Sequence, residues 1–152
     1  MRTAEFDLAA PHVVELDVAS GDIDAYAHVN NAVYLTWLDR AAWSHSAALG
    51  VPLERCLALR RGMAATRIGI DYLRAALAGD RVQVATWIVG SDARLRVTRH
   101  FQVRRPADGA TLARARVDYV CINLDSGRAA RMPATYAQAY VATAPDPGDF
   151  RS

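Results

Sequence analysis

An α+β fold is predicted by three features of the amino-acid sequence. Ala32 to Leu49 is a long apolar segment that reads as one helix. From Met63 onwards, successive segments alternate apolar and polar residues with a period of two. Tight turns link those segments, and connections that short join antiparallel neighbours, since a parallel pair needs a crossover of a dozen residues or more. A chain of strands without strand–helix alternation is not a doubly wound parallel sheet. With one strand ahead of the helix, the sheet has about five.

Residues 1–11 end in Pro11 and are expected to be a loose leader, 12–142 a single domain, and 143–152, TAPDPGDFRS, a flexible tail. Val13 to Val18 (VVELDV) is β-branched with polar interruptions and reads as the first strand, broken at Gly21. A turn over Asp24 to Asn30 leads into the helix. Asn30 or Asn31 supplies its cap, Gly50 the left-handed residue beyond its end, and Pro52 stops it. Apolar residues go most of the way round it, from Val33 to Trp43, which predicts a helix enclosed by the sheet. Pro52 to Arg61 is a connection with room for a short helical turn. Ala64, Thr66, Ile68, Ile70 and Tyr72 then form one face of a strand. Further strands are read over Arg81 to Val89, Arg94 to Arg104 and Thr111 to Asn123, with turns at Gly79-Asp80, Ser91 to Ala93, Pro106 to Gly109 and Asp125 to Gly127. Arg99 interrupts the apolar face Leu95, Val97, Phe101, Val103; a bulge resetting the alternation, or a subunit boundary, would account for it. Pro133 to Tyr140 suits a short terminal helix.

At 152 residues, 52% hydrophobic and 22% charged, the chain has the makings of one soluble globular domain. A formal charge of +2 gives no electrostatic case for nucleic acid as a partner. All 18 basic residues are Arg, a side chain whose planar fork suits phosphate. No secretory leader is read at the start, and no run reaches the roughly 18–20 apolar residues that span a bilayer, so a cytoplasmic protein without membrane contact is expected. Cys56 and Cys121 fit no redox or metal spacing, and His12, His28, His45 and His100 fall at no metal-ligand spacing; no metal is expected.

Chemistry is concentrated in Ser20 to Leu38, SGDIDAYAHVNNAVYLTWL. Asp and Asn are ordinary turn and cap residues. A carboxylate just ahead of a helix also faces backbone N–H groups that lack intrahelical partners and carry partial positive charge. A carbonyl held between the two would be polarised and attacked.

The string D-A-Y-A-H-V-N-N-A-V-Y-L resembles the signature of hot-dog-fold acyl-CoA thioesterases of the 4-hydroxybenzoyl-CoA thioesterase type, in which Gly is usual where this chain has Ala27. The segment Ile70 to Val84, with DYLRAALAGDRVQV, is similar to that family's second characteristic stretch, and the likeness covers roughly residues 12 to 140. It implies a hot-dog fold, an antiparallel sheet of about five strands wrapped around one long central helix. It also implies hydrolysis of an acyl-CoA to free acid and CoA, with CoA a part of the substrate and no other cofactor. Asp24 stands at the position of the family's nucleophile or general base, and the backbone N–H of Asn31 at that of its oxyanion donor. His28 is a further candidate, for orienting the thioester or a water, and Asp22 a neighbouring carboxylate. Tyr34 and Trp37 suit the core or an acyl-pocket wall; Arg128 and Arg131, or Arg94 and Arg96, are candidates for the CoA phosphates. An open sheet edge is usually paired or covered, and the resemblance implies that this is done by a homodimer or homotetramer with sites at the dimer boundary. A hydratase or dehydratase is the alternative enzyme; its G-D-x-N-P-x-H pattern departs from this chain's G-D-I-D-A-Y-A-H, where His28 falls one residue late. A non-catalytic acyl-CoA or acyl-carrier binding module is the other alternative.

Overall fold

The computed structural model describes residues 5–148. In chain order it runs β1 (His12–Asp17), a 3-10 turn (Ser20–Asp22), α1 (Asn31–Ala48), α2 (Leu53–Leu59), β2 (Arg61–Tyr72), β3 (Arg81–Ser91), β4 (Arg96–Arg105), β5 (Ala110–Asn123) and α3 (Ala134–Ala139). The strands make one sheet in the order β1-β3-β4-β5-β2, every pair antiparallel. The α+β expectation holds, with β1 and β2 as the edges.

α1 lies along one face of the sheet. Tyr34, Trp37, Leu38 and Ala41 turn inward and meet Leu16, Val84, Phe101 and Leu112 in the main core. Phe101 is fully buried, and emptying such a site to Ala costs about 3–5 kcal/mol. The opposite side of α1 is open: Leu35 is 38% and Trp43 49% exposed. This corrects the expectation of an enclosed helix, because five strands cover only one side of it. Gly50 (φ +93°) follows the helix end as read, and Arg60 closes α2 in the left-handed region. A second core gathers α2, α3 and the far ends of the strands around Val51, Cys56, Ile88, Cys121 and Tyr136. Both cysteines are buried free thiols.

Bulges change two faces. β2 carries an extra residue, Thr66, between the pairs Ala65↔Tyr119 and Arg67↔Asp118. The alternation therefore resets, and Met63 and Ala65, rather than Ala64 and Thr66, continue inward ahead of Ile70. Beside Arg99 the bulge is on the neighbouring strand: Ile88 pairs Arg99 and Gly90 pairs Thr98, leaving Val89 over. β4 itself keeps its alternation, so Arg99 is buried on the helix side with Val97, Phe101 and Val103.

The leader is not loose over its described part. Phe6 and Leu8 pack on the outer face against Trp87 and Val89, Trp87 Nε1 donates to the Ala9 carbonyl (2.9 Å), and Arg114 pairs with Asp7. Ala144 joins the same cluster, and Arg116 pairs with Asp146 of the tail. The physical reason is a sheet that would otherwise leave its second face uncovered: buried Trp87 and His100 sit there.

Candidate active site

The turn ahead of α1 is tied at several points. Ala19 N–H donates to Asp22 Oδ2 (2.9 Å), so that side chain closes the 3-10 turn. Ile23 and Val29 form an antiparallel bridge, Asn30 N–H donates to the Asp22 carbonyl (2.8 Å), and Val29 N–H to the Ala76 carbonyl (2.9 Å). Inside this pinch, Asp24 N–H donates to the His28 carbonyl (2.8 Å) and Asp24 Oδ1 accepts from the amides of Tyr26 (2.9 Å) and His28 (3.3 Å). Ala27 has φ +62°, which is why glycine suits this position. The half-buried Asp24 carboxylate is thus fixed through one oxygen, while Oδ2 makes no hydrogen bond among the described residues.

Asn30 is the helix cap. Its Oδ1 accepts from Ala32 N–H (3.0 Å) and its carbonyl from Val33 N–H (2.9 Å). The amide of Asn31, first residue of α1, has no partner among the described residues. Tyr72 Oη donates to the Asn31 carbonyl (2.9 Å) and stacks edge-on against Tyr34, whose own hydroxyl accepts from Ala76 N–H (3.2 Å). An open carboxylate oxygen and an open helix-terminal amide therefore flank one tight turn, joined by the Ile23–Val29 bridge. A carbonyl set between two such groups would be polarised.

The other residues read from the sequence are distributed differently. His28 is exposed, and only its backbone is engaged in the turn. Tyr34 and Trp37 are core residues, 2% and 5% exposed. Arg128 and Arg131 are exposed beyond the end of β5, where Arg61 pairs Asn123; Tyr72, beside α1's first turn, pairs Ala113. Ten strand residues separate those ends, about 33 Å. One protomer does not bring these arginines to Asp24, nor Arg96, which pairs Val120 toward the same far end. Arg74 does lie at the near end: it is exposed, two residues after Tyr72, with its amide on the Leu112 carbonyl (3.1 Å). It stands inside the DYLR segment, but only the Tyr72–Asn31 contact shows which end of the sheet it serves. Among the described residues no group of three or more His, Cys, Asp and Glu side chains converges as a metal site.

Residues 18–140 match the family model described as the thioesterase-like superfamily. The chain belongs to that superfamily. Its fold is that of solved hot-dog thioesterases. It superposes with a TM-score of 0.77 on the 1,4-dihydroxy-2-naphthoyl-CoA thioesterase from Synechocystis, at 23% identity, covering 86% of this chain and 96% of that one. A DHNA-CoA thioesterase from Staphylococcus aureus gives 0.80 at 18% identity, with 86% and 88% covered. A Staphylococcus aureus protein solved in complex with CoA gives 0.79 at 19%, with 86% and 81% covered. Identities this low establish a shared fold alone. No curated protein sequence matches. Membership of the thioesterase-like superfamily supports a thioester hydrolase in general character. No helix among its described residues is long and apolar enough to cross a membrane.

Proposed function

We propose that this protein hydrolyses the thioester bond of an acyl-CoA to a free acid and CoA, with Asp24 as nucleophile or general base and the Asn31 amide as oxyanion donor. The observation that carries the reading is the pinched turn, which fixes Asp24 through Oδ1 while Oδ2 and the first amide of α1 stay unpaired. As nucleophile, Oδ2 bonds to the thioester carbon, the C–S bond breaks with the sulfur leaving as CoA thiolate, and water then cleaves the anhydride. As base, Oδ2 takes the proton of the attacking water. In both courses negative charge develops on the carbonyl oxygen, where a fixed N–H at a helix start is worth most. A CoA-type substrate is supported by family membership and by the solved relative in complex with CoA.

Arg74 replaces Arg128 and Arg131 as the first choice for a CoA phosphate within the protomer, on position and exposure. Exposed Tyr72, Leu73 and Leu77 lie around the same end, and Leu35 faces outward one turn into α1. Such a rim suits a second subunit, so a homodimer completes the site in this reading. Free-thiol release across acyl-CoAs of graded length, with benzoyl and hydroxybenzoyl forms, tests it. Asp24→Asn should lower kcat by about 10²-fold or more while acyl-CoA still binds. Binding without release by the unaltered chain would leave a binding module instead.

A further inference from the structure

We propose that the cavity between α1, β2, β5 and the end of α3 binds the carboxylate of a small apolar acid, with the free proton of the Ser46–Tyr140 hydroxyl pair as donor and Arg99 behind the pair as the compensating charge. The cavity measures about 280 Å³, and Ala42, Trp43, Met63 and Ala65 supply its apolar wall. It opens on the side of α1 that the sheet leaves uncovered, where Trp43 is half exposed.

Arg99 is 3% exposed. Its Nη1 donates to His45 Nδ1 (2.7 Å), its Nη2 to Ser46 Oγ (3.0 Å), and the guanidinium lies 5.9 Å from the centroid of the Tyr140 ring. All three partners are neutral. Burial, then the charges of Arg99 and His12, push the His45 pKa down to about 4, so the imidazole accepts at Nδ1 as an uncharged ring. Among the described residues no carboxylate comes within ion-pair distance of Arg99. Arg105 and Arg114, both more exposed, have Asp80 and Asp7. A guanidinium that only held the fold together would be expected to share that pattern, because a buried unpaired charge is costly.

A count of protons points the same way. Ser46 and Tyr140 share one hydrogen bond (3.0 Å), and Ser46 also accepts from Arg99. Two hydroxyl protons serve one bond, so one proton has no acceptor there, whichever way the pair is oriented. Both residues line the cavity. It therefore offers an O–H donor backed by a fixed cation, which is what a carboxylate needs. Tyr119 adds a second phenol to the wall, its pKa pushed up to about 12 chiefly by burial. Asp39 is at the other end, seven residues up α1 from Ser46, about 10 Å along the axis. The acid is thus oriented, head to Ser46 and body toward Trp43.

Ser46 is fifteen residues from Asn31, about 22 Å along α1. The acid is for that reason not the carbonyl carbon being attacked at the same protomer's Asp24. It is either a free acid or the far carboxylate of a longer acyl chain, and the chemistry recognised is the same.

Titration calorimetry, with Trp43 fluorescence as a second readout, tests the site on the full chain using octanoate and benzoate against octanamide and benzamide. The acids should bind about tenfold more tightly than their amides. The double variant Ser46→Ala/Tyr140→Phe, which removes both hydroxyls and leaves Arg99 in place, should weaken octanoate by about tenfold and octanamide by less, whereas either single variant keeps one free hydroxyl proton and should weaken octanoate less than the double. Asp39→Asn should leave octanoate binding intact or tighten it. Equal binding of acid and amide, absence of acid binding, or indifference to the double variant would overturn the proposal. Turnover of octadecanedioyl-CoA against stearoyl-CoA, whose chains are long enough to span about 22 Å, separates the two sources. A KM raised by the double variant for octadecanedioyl-CoA alone assigns the carboxylate to the acyl chain; no change in either, with octanoate binding lost, assigns it to a free acid. Binding is read without turnover, so a chain inert toward every acyl-CoA would remove the hydrolase and leave this inference standing.

Discussion

Asn31 occupies the first position of α1, and that makes a backbone donor open to mutation. Proline is tolerated there, since its missing N–H is one the helix does not use and its φ is preset. Asn30 before it has φ −56° and ψ 133°, the extended conformation that a residue preceding proline prefers. Asn31→Pro should therefore fold, keep α1, and lose the oxyanion donor. The expected outcome is a fall in kcat of about 10²–10³-fold with little change in KM, measured by thiol release alongside far-UV circular dichroism. Unchanged kcat in a folded variant would remove the amide from the mechanism. Ala27 makes a second test at this scale. An alanine held at φ +62° is strained, so Ala27→Gly should raise stability by about 0.5–1 kcal/mol in urea unfolding. The Asp24 and Asn30 turn residues were legible in the sequence because turn and cap chemistry acts within a few residues. Which oxygen of Asp24 stays open was not, since that depends on the Tyr26 and His28 amides in the folded turn.

At the scale of elements, β2 is the strand on which the proposed homodimer can be tested. It is an edge strand of twelve residues paired on one side only, with Ala65 to Gly69 exposed and Ile68 at 47%. A long open edge of this kind pairs with another strand unless charge or cover prevents it. In the homodimer proposed above, this edge is the pairing surface. Ile68→Glu should then shift the sedimentation mass from a multiple of 16.6 kDa to 16.6 kDa and lower thioester hydrolysis with it. A variant that stays assembled would move the interface elsewhere. The long helix was read correctly from its unbroken apolar run between cap and stop residues, and the strands from their period of two, because those are properties of the local chain. A face was misread in β2, where the extra Thr66 intervenes, and the bulge expected at Arg99 lies in β3 at Val89 instead. Both are set by pairing with a neighbouring strand, which no single-strand pattern contains.

Over the whole molecule, the leader and tail complete the fold by covering the outer face of the sheet. Burial alone would raise the pKa of Asp7, but the hydrogen bonds from Arg114 and His100 outweigh it and hold the carboxyl well below the usual carboxylate range. A carboxyl depressed in the folded state adds stability above its unfolded value of 3.8, and that stability drains away as pH falls below it. Asp7→Asn should lower the urea midpoint at neutral pH and flatten its decline below about pH 4, where the unaltered protein loses the contribution. Identical acid limbs would show that the strap adds nothing.

By itself the sequence determined the α+β class, the order of elements, the capped turn with its carboxylate, and the likeness to acyl-CoA thioesterases that the superfamily match establishes. Those follow from residues that are neighbours along the chain. Only the tertiary structure decided that Arg128 and Arg131 lie at the end of the sheet away from Asp24, that Arg74 lies at the near end, and that Arg99 turns inward beneath Ser46 and Tyr140. Each of these rests on strand register and on which face a side chain takes, and a shift of one residue reverses that face for all that follow.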